Sequence, residues 1–367
     1  MSFKYPVYQP NLSGNESKYV QECLDSTWIS SKGKFIKQFE NNFSAFTGLD
    51  NSVAVANGTV ALHAALLALG IGKDDEVIVP TFTYIASVNS ITYTGAKPVF
   101  VDSDPDTWQI DTKKIEERIS KKTKAIMTVH IYGHPCDMAE IRKIADKHRL
   151  FIIEDCAEAI GTLFNGKHVG QFSDISTFSF LGNKSITTGE GGMVCTNNNN
   201  LAQFITRLKG QGLAKDQEYF HDIVGYNYRM TNICAAIGCA QLERVDDIII
   251  KKRKVAQNYI NELKNLPVEY HHEIGNVRHS YWMFTILVES ESIRSKLRKH
   301  LNEHGIETRP TFHPVHTMPM YNFGEKFEVA ENLGKRGINL PSYPDLTEDE
   351  SRYICKTVEG YYNLFIV

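Results

Sequence analysis

The sequence predicts an α/β protein: a large, mostly parallel seven-stranded sheet with helices on both faces, joined to a smaller C-terminal α+β region. Three observations carry this. Short apolar, β-rich runs alternate with amphipathic stretches between about residues 50 and 195. At 367 residues the chain is longer than most single cores sustain, which points to a large unit and a small one. After about residue 250 the alternation stops and the pattern changes character. The expected division is 1–250, with an N-terminal segment near the active site, and 251–367.

The strands follow in order. Their runs are Ser52–Ala56, Glu76–Pro80, Pro98–Asp102, Ala125–His130, Phe151–Asp155, Ser176–Phe180 and Gly192–Thr196. Between several of them lie helical patterns at Val60–Leu69, Thr112–Ile119 and Met138–His148. Such alternation favours parallel pairing, because each crossover helix covers a sheet face. Ligands of open parallel sheets bind at the carboxyl ends of the strands, and Asp155 stands at one of them. Asn197–Asn200 reads as a polar loop. Residues 230–264 read as one long helix or two, with Ala235, Ala236 and Gly238 allowing close packing. Tyr281–Val288 reads as a strand, Ser292–His304 as a helix and Thr347–Leu364 as a closing helix.

Composition excludes several classes. A formal charge of −3 offers no nucleic-acid or membrane surface. Lys251-Lys252-Arg253-Lys254 is short and reads as a solvated helix face. Seven cysteines, without a CxxC pair, argue against a disulfide framework or a structural zinc site and for a reducing compartment. No apolar signal core opens the chain, and no run of about 18 apolar residues spans a membrane. A cytoplasmic protein is expected. No HExxH occurs. His130 and His134 are separated by Tyr132-Gly133 and followed by Pro135, a turn rather than a metal-binding helix, so no metal is expected.

The chemistry converges on Lys184. It follows Phe178-Ser179-Phe180 and precedes the glycine-rich run Thr188-Gly189-Glu190-Gly191-Gly192. An aspartate at a strand end, then a serine and a lysine after a later strand, suits pyridoxal phosphate. The lysine amine forms a Schiff base with the aldehyde, and the aspartate keeps the pyridine nitrogen protonated. Asn57-Gly58-Thr59 opens a helix after the first strand; it is either a helix cap or a phosphate site. Ser179 can add a hydroxyl to the same phosphate. Tyr84, after the second strand, is either core or a ring that stacks on the cofactor. Gly189-Glu190-Gly191-Gly192 lacks the Lys-Ser/Thr of a P-loop, and no G-x-S-x-G element suggests a serine hydrolase. His313 and His316 sit in a Pro-rich loop, where substrate contact is expected.

These residues resemble the DegT/DnrJ/EryC1/StrS sugar aminotransferases over nearly the whole chain. The carriers include Asn57-Gly58-Thr59-Val60-Ala61-Leu62-His63, Pro80-Thr81-Phe82-Thr83-Tyr84, Glu154-Asp155-Cys156-Ala157-Glu158-Ala159, Phe178-Ser179-Phe180, Lys184 and Gly225-Tyr226-Asn227-Tyr228-Arg229-Met230. The resemblance implies the fold-type I, aspartate aminotransferase-like architecture of PLP-dependent transferases. It implies Lys184 and Asp155 as catalytic residues, and Gly58, Thr59 and Ser179 as phosphate ligands. Tyr84 becomes the stacking aromatic and Asn227 a contact to the cofactor of a partner subunit; Glu158 stands at a position packed against the cofactor where relatives often carry Gln or His. A homodimer with shared active sites follows. Relatives with histidine in place of the lysine are 3-dehydratases, so Lys184 implies transamination with L-glutamate as donor.

Within the family, Ser26–Gly33, Arg309-Pro310, Phe312–Tyr321 and Arg336–Pro341 resemble members that aminate GDP-4-keto-6-deoxy-D-mannose at C4 for surface polysaccharide. Trp28, Ser30, Arg229 and His316 are the expected sugar-nucleotide contacts. UDP- or dTDP-4-keto-6-deoxyglucose is the alternative substrate. A non-catalytic ligand sensor of the same fold is the alternative class, and the complete Asp155–Ser179–Lys184 set speaks against it.

Overall fold

The structure is a computed structural model that describes residues 3–365; Met1 and Ser2, where the signal core was sought, and residues 366–367 of the expected C-terminal region lie outside it. The alternating segment forms β1 (Asn51–Val55), β2 (Glu76–Pro80), β3 (Lys97–Val101), β4 (Thr123–Val129) and β5 (Phe151–Asp155). A short excursion, β6 (Leu163–Phe164) and β7 (Lys167–His168), leads on to β8 (Ile175–Ser179) and β9 (Gly192–Thr196). β1 to β5, β8 and β9 build a seven-stranded sheet in the order β1-β9-β8-β5-β4-β2-β3. Burial of these strands is nearly complete, as both-face coverage requires.

Neighbours from β8 to β3 pair in parallel. β9 is the exception and runs antiparallel to both β1 and β8. The connection explains this. The chain between β8 and β9 holds no helix and turns back on itself, with Phe180 N–H bonded to the Gly191 carbonyl at 2.8 Å. A parallel return needs a longer crossover. Lys184 sits in this turn.

Helices α1 (Glu16–Asp25) and α2 (Lys34–Thr47) precede the sheet. α3 (Gly58–Ala68), α4 (Ile85–Tyr93), α5 (Met138–His148) and α6 (Asn199–Leu208) fall between or after its strands. Thr112–Ile119 differs from the expected helix: it forms two 3₁₀ turns, because Asp111 caps Lys113 N–H and Ile119 returns to extended backbone. Asn197–Asn200 also differs from the expected loop. Asn198 caps α6 by accepting from Asn200 and Leu201 N–H, and the next two asparagines begin the helix.

Residues 230–264 are two helices, α7 (Asn232–Leu242) and α8 (Val245–Leu263). The expected boundary near residue 250 falls inside α8. Its first half packs Ile248 and Ile249 against the core under α2, and its second half packs Val255, Ala256 and Tyr259 with the C-terminal elements. Lys252 departs from a solvated face: it is 1% exposed, with its amine donating to the Ser342 carbonyl at 2.6 Å.

The remaining chain forms β10 (Glu269–Tyr270), β11 (Val277–Arg278), β12 (Phe284–Leu287), α9 (Glu291–Glu303), β13 (Arg309–Pro310), α10 (Glu328–Arg336), β14 (Gly337–Leu340) and α11 (Glu348–Phe365). β10, β12, β14 and β13 make a four-stranded antiparallel sheet, and β11 joins β6 and β7 in a small third one. The N-terminal segment crosses to this side through the Tyr5–Ile306 bridge, so it straps the C-terminal elements to the large sheet. No helix among the described residues is long and apolar enough to cross a membrane.

Candidate active site

Strand register places the acid. Side chains alternate along β5, so Glu154 and Asp155 face opposite ways. Glu154 is fully buried and accepts from Gly170 N–H at 2.6 Å, Phe172 N–H at 3.0 Å and His130 Nε2 at 3.1 Å. His130, Glu154 and Cys156 bring three metal-ligand atom types together, yet both Glu154 oxygens and both His130 nitrogens already bond within the chain. Asp155 points the other way, into a cavity of about 450 Å3. Its Oδ2 accepts from Ser87 Oγ at 2.7 Å and its Oδ1 from Ala157 N–H at 3.0 Å. Burial pushes the carboxyl pKa up; Ser87, Ala157 and Lys184 pull it back.

The same alternation sets the opposite wall. Phe178 and Phe180 pack under α2, with Phe178 4.9 Å from Phe43 and Phe180 5.0 Å from Phe39. Ser179 between them is therefore turned to the cavity. The chain then enters the turn that carries Lys184, whose carbonyl accepts from the Tyr8 hydroxyl. The Lys184 side chain is buried. Its Nζ lies 4.0 Å above the Trp282 ring and 3.8 Å from Glu158 Oε1. Burial lowers the amine pKa, against the pull of Glu158 and Asp155.

Asn57 reconciles the two readings of its motif. Its side chain caps α3 by accepting from Val60 N–H at 3.0 Å, and Gly58 and Thr59 behind it line the cavity. N–H groups of a first helical turn have no partner inside the helix, so these face the space with the positive end of the helix dipole. Gly58 is required by contact: a Cβ there would stand 2.8 Å from Ser179 Cβ.

One cavity thus gathers Gly58, Thr59, Tyr84, Asp155, Glu158, Ser179 and Lys184. Tyr84 is 54% exposed at its mouth, with its ring 5.6 Å from Phe312. Four expected substrate contacts and Asn227 lie elsewhere. Asn227 and Arg229 are exposed and bond to each other. Trp28 lines a separate surface depression with Lys34 and Asn232, and Ser30 beside it is exposed. His316 is buried; its Nδ1 pairs with the Thr81 hydroxyl at 2.7 Å and its Nε2 approaches Glu331 at 3.4 Å.

Sequence reasoning missed Ser87, Tyr8, Asn183, Trp282 and Phe312. Ser87 alone had a signal that could have found it: Ile85, Val88 and Ile91 recur around it at helical spacing after the Tyr84 segment. Trp282 and Phe312 come from β12's approach and the loop after β13, far away in sequence. Asn183 Oδ1 is buried without a hydrogen-bond partner, and Asn183 lines the cavity.

The DegT/DnrJ/EryC1/StrS aminotransferase family profile aligns with residues 10–359. The chain is 58% identical over 361 residues to GDP-perosamine synthase of Escherichia coli O157:H7, covering 98% of each. It is 52% identical over 363 residues to GDP-perosamine synthase of Vibrio cholerae, covering 98% of this chain and 99% of that one. DesV of S. venezuelae, solved in complex with a ketimine intermediate, superposes with a TM-score of 0.90 at 33% identity over 95% and 94% of the two chains. The PLP-form of the putative sugar aminotransferase Spr1654 from Streptococcus pneumoniae gives 0.93 at 28% identity over 98% of both.

Proposed function

Because the chain belongs to the DegT/DnrJ/EryC1/StrS aminotransferase family, we propose that it moves the amino group of L-glutamate to C4 of GDP-4-keto-6-deoxy-D-mannose, yielding GDP-perosamine, with pyridoxal 5′-phosphate as cofactor. Its fold is that of the fold-type I transferases. The full-length similarity to enzymes named for making GDP-perosamine carries the choice of sugar.

The residues present fit the cofactor. Asp155 offers a buried carboxylate for a protonated ring nitrogen. Gly58 leaves space beside Ser179 that a Cβ would fill, which suits a phosphate. Asn183 Oδ1, without a partner, offers an acceptor at the cavity wall. Bound pyridoxal phosphate supplies an aldehyde carbon that condenses with amines and a ring that takes up the electron pair released beside it.

The protein's own groups do the rest. Asp155, fixed by Ser87 and Ala157, keeps a proton on the ring nitrogen. Lys184 Nζ, desolvated against Trp282, is favoured in its neutral form and so would serve as nucleophile and as the base that moves a proton between the two carbons on either side of the transferred nitrogen. Gly58, Thr59 and Ser179 anchor the anionic end, while Tyr84 covers the ring face at the mouth. Trp282, Phe312 and Tyr132 wall off water; the Tyr132 ring is 5.5 Å from Phe312 and 6.2 Å from Trp282, stacked with its plane nearly parallel to both.

We propose a homodimer as the working unit. Asn227 and Arg229 are exposed and lie outside their own chain's cavity, as expected of groups that reach a second copy's cofactor and sugar. Trp28 and Ser30 are assigned to the sugar nucleotide on the same grounds. His316 takes part through Thr81, whose segment leads into the Tyr84 wall. The proposed place of work is the cytoplasm, a reading supported by an odd number of cysteines without a CxxC pair.

The test is a substrate comparison with glutamate and pyridoxal phosphate present. Amino-sugar formation from the GDP-linked 4-keto-6-deoxymannose is expected to exceed that from UDP- or dTDP-4-keto-6-deoxyglucose by at least about tenfold, a difference of about 1.4 kcal/mol. Turnover of the UDP or dTDP compound with none of the GDP compound refutes the assignment.

A further inference from the structure

Two carboxylates approach Lys184, and they are held differently. Both oxygens of Asp155 receive hydrogen bonds, from Ser87 Oγ and from Ala157 N–H. Glu158 is fixed at one oxygen only. Its Oε2 accepts from Tyr132 N–H at 2.8 Å, and Tyr132 is held in the left-handed region at φ 56°. The other oxygen, Oε1, lies 3.8 Å from Lys184 Nζ. Among the described residues it receives no hydrogen bond from the backbone.

Burial acts on both partners. It pushes the Glu158 carboxyl up to about 7 and lowers the Lys184 amine, so each is driven towards its neutral form. The groups facing Glu158 are Lys184, Asp155 and the Tyr132 phenol. Those facing Lys184 are Glu158 and Asp155. Burial thus works against charge separation in this pair, and the 3.8 Å approach of Oε1 to Nζ sets the two groups face to face.

We propose that Glu158 is the proton partner of Lys184, with its Oε1 taking the proton when the amine must act as a base and returning it when the amine must act as an acid. The balance is simple. The N–H bond at Nζ breaks, its electron pair stays on nitrogen, and an O–H bond forms at Oε1; the return step reverses this. No further reactant is needed. The proposal rests on the aminotransferase reading of the site, and it assigns Glu158 a role beyond packing.

Glu158→Gln isolates the proton site, because the glutamine carbonyl still accepts from Tyr132 N–H. The readout is pH-dependent trinitrophenylation of Lys184 by trinitrobenzenesulfonate in the full chain freed of cofactor, quantified by peptide mass spectrometry. A nearby carboxylate favours the ammonium form, so its removal is expected to shift the labelling midpoint to lower pH. The expected gain below the midpoint is about tenfold, one pH unit. Glu158→Asp is expected to restore much of the wild-type curve. In the cofactor-loaded enzyme, Glu158→Gln is expected to lower turnover about 100-fold at neutral pH, with the thermal midpoint unchanged. Superimposable labelling curves for wild type and Glu158→Gln overturn the proposal. A wild type that forms no amino sugar overturns the aminotransferase reading instead, and the labelling curves still decide the role of Glu158.

Discussion

Ser87→Ala tests how the chain keeps its aspartate ionised. Ser87 stands on α4 and donates to Asp155 Oδ2 at 2.7 Å; the same hydroxyl lies 3.1 Å from Thr83 Oγ1. A hydrogen bond to a charged group contributes about 1.5–3 kcal/mol. Removing it leaves Ala157 N–H as the one remaining donor to that carboxylate. Burial already pushes Asp155 up, so losing Ser87 raises its pKa further. The carboxylate must be ionised to hold a ring N–H. Affinity for pyridoxal phosphate is thus expected to fall roughly 10- to 100-fold at pH 7. The loss should deepen as pH drops, because protonation now begins at higher pH. Absorbance titration of the cofactor between pH 6 and pH 8.5 measures both effects. Ser90→Ala is the control: Ser90 is also fully buried on α4, but its hydroxyl bonds only to the Ser87 carbonyl. The reasoning fails if Ser87→Ala binds the cofactor within about twofold of wild type with an unmoved acid limb, or if Ser90→Ala produces the same loss.

Two further outcomes are expected. Gly58→Ala places a Cβ 2.8 Å from Ser179 Cβ and 3.1 Å from its Oγ, so it should cost at least about tenfold in cofactor affinity while the α3 helix stays intact, as equilibrium dialysis and circular dichroism would show. Lys252→Met removes an amine whose pKa burial lowers from 10.5 to about 7. The unfolded chain binds that proton across this window and the folded chain does not, so the cost is full below about pH 7 and fades as pH rises towards 10.5. Losing the bond to Ser342 offsets part of the gain. The variant is expected to be more stable by roughly 2–4 kcal/mol at pH 7, with the advantage gone before pH 10.5 and the lost Ser342 bond left as a net cost there in thermal melts.

The seven strands of the main sheet were legible because their signal is local. Glu76–Pro80, Phe151–Asp155 and Gly192–Thr196 were read at the bounds the structure shows, and the other runs lie within two residues of theirs. The proposed catalytic pair, which the structure brings into one cavity, stood out for the same reason: Asp155 ends an apolar run and Lys184 stands between a strand and a glycine run. The direction of β9 was not, because an apolar run reads alike in either direction and only its partners decide. Thr112–Ile119 carried a helical pattern that capping by Asp111 broke into 3₁₀ turns.

The sequence by itself determined the fold class, the lysine and its aspartate, since each rests on short-range order along the chain. Only the tertiary structure decided what surrounds them. Ser87 reaches Asp155 across 68 residues, and Tyr8 meets the Lys184 carbonyl across 176. Trp282 closes over the amine from another sheet's approach. Glu158 faces the same amine from the chain beyond β5. Proximity of this type is set by packing of distant elements, and burial then fixes the protonation of what it encloses.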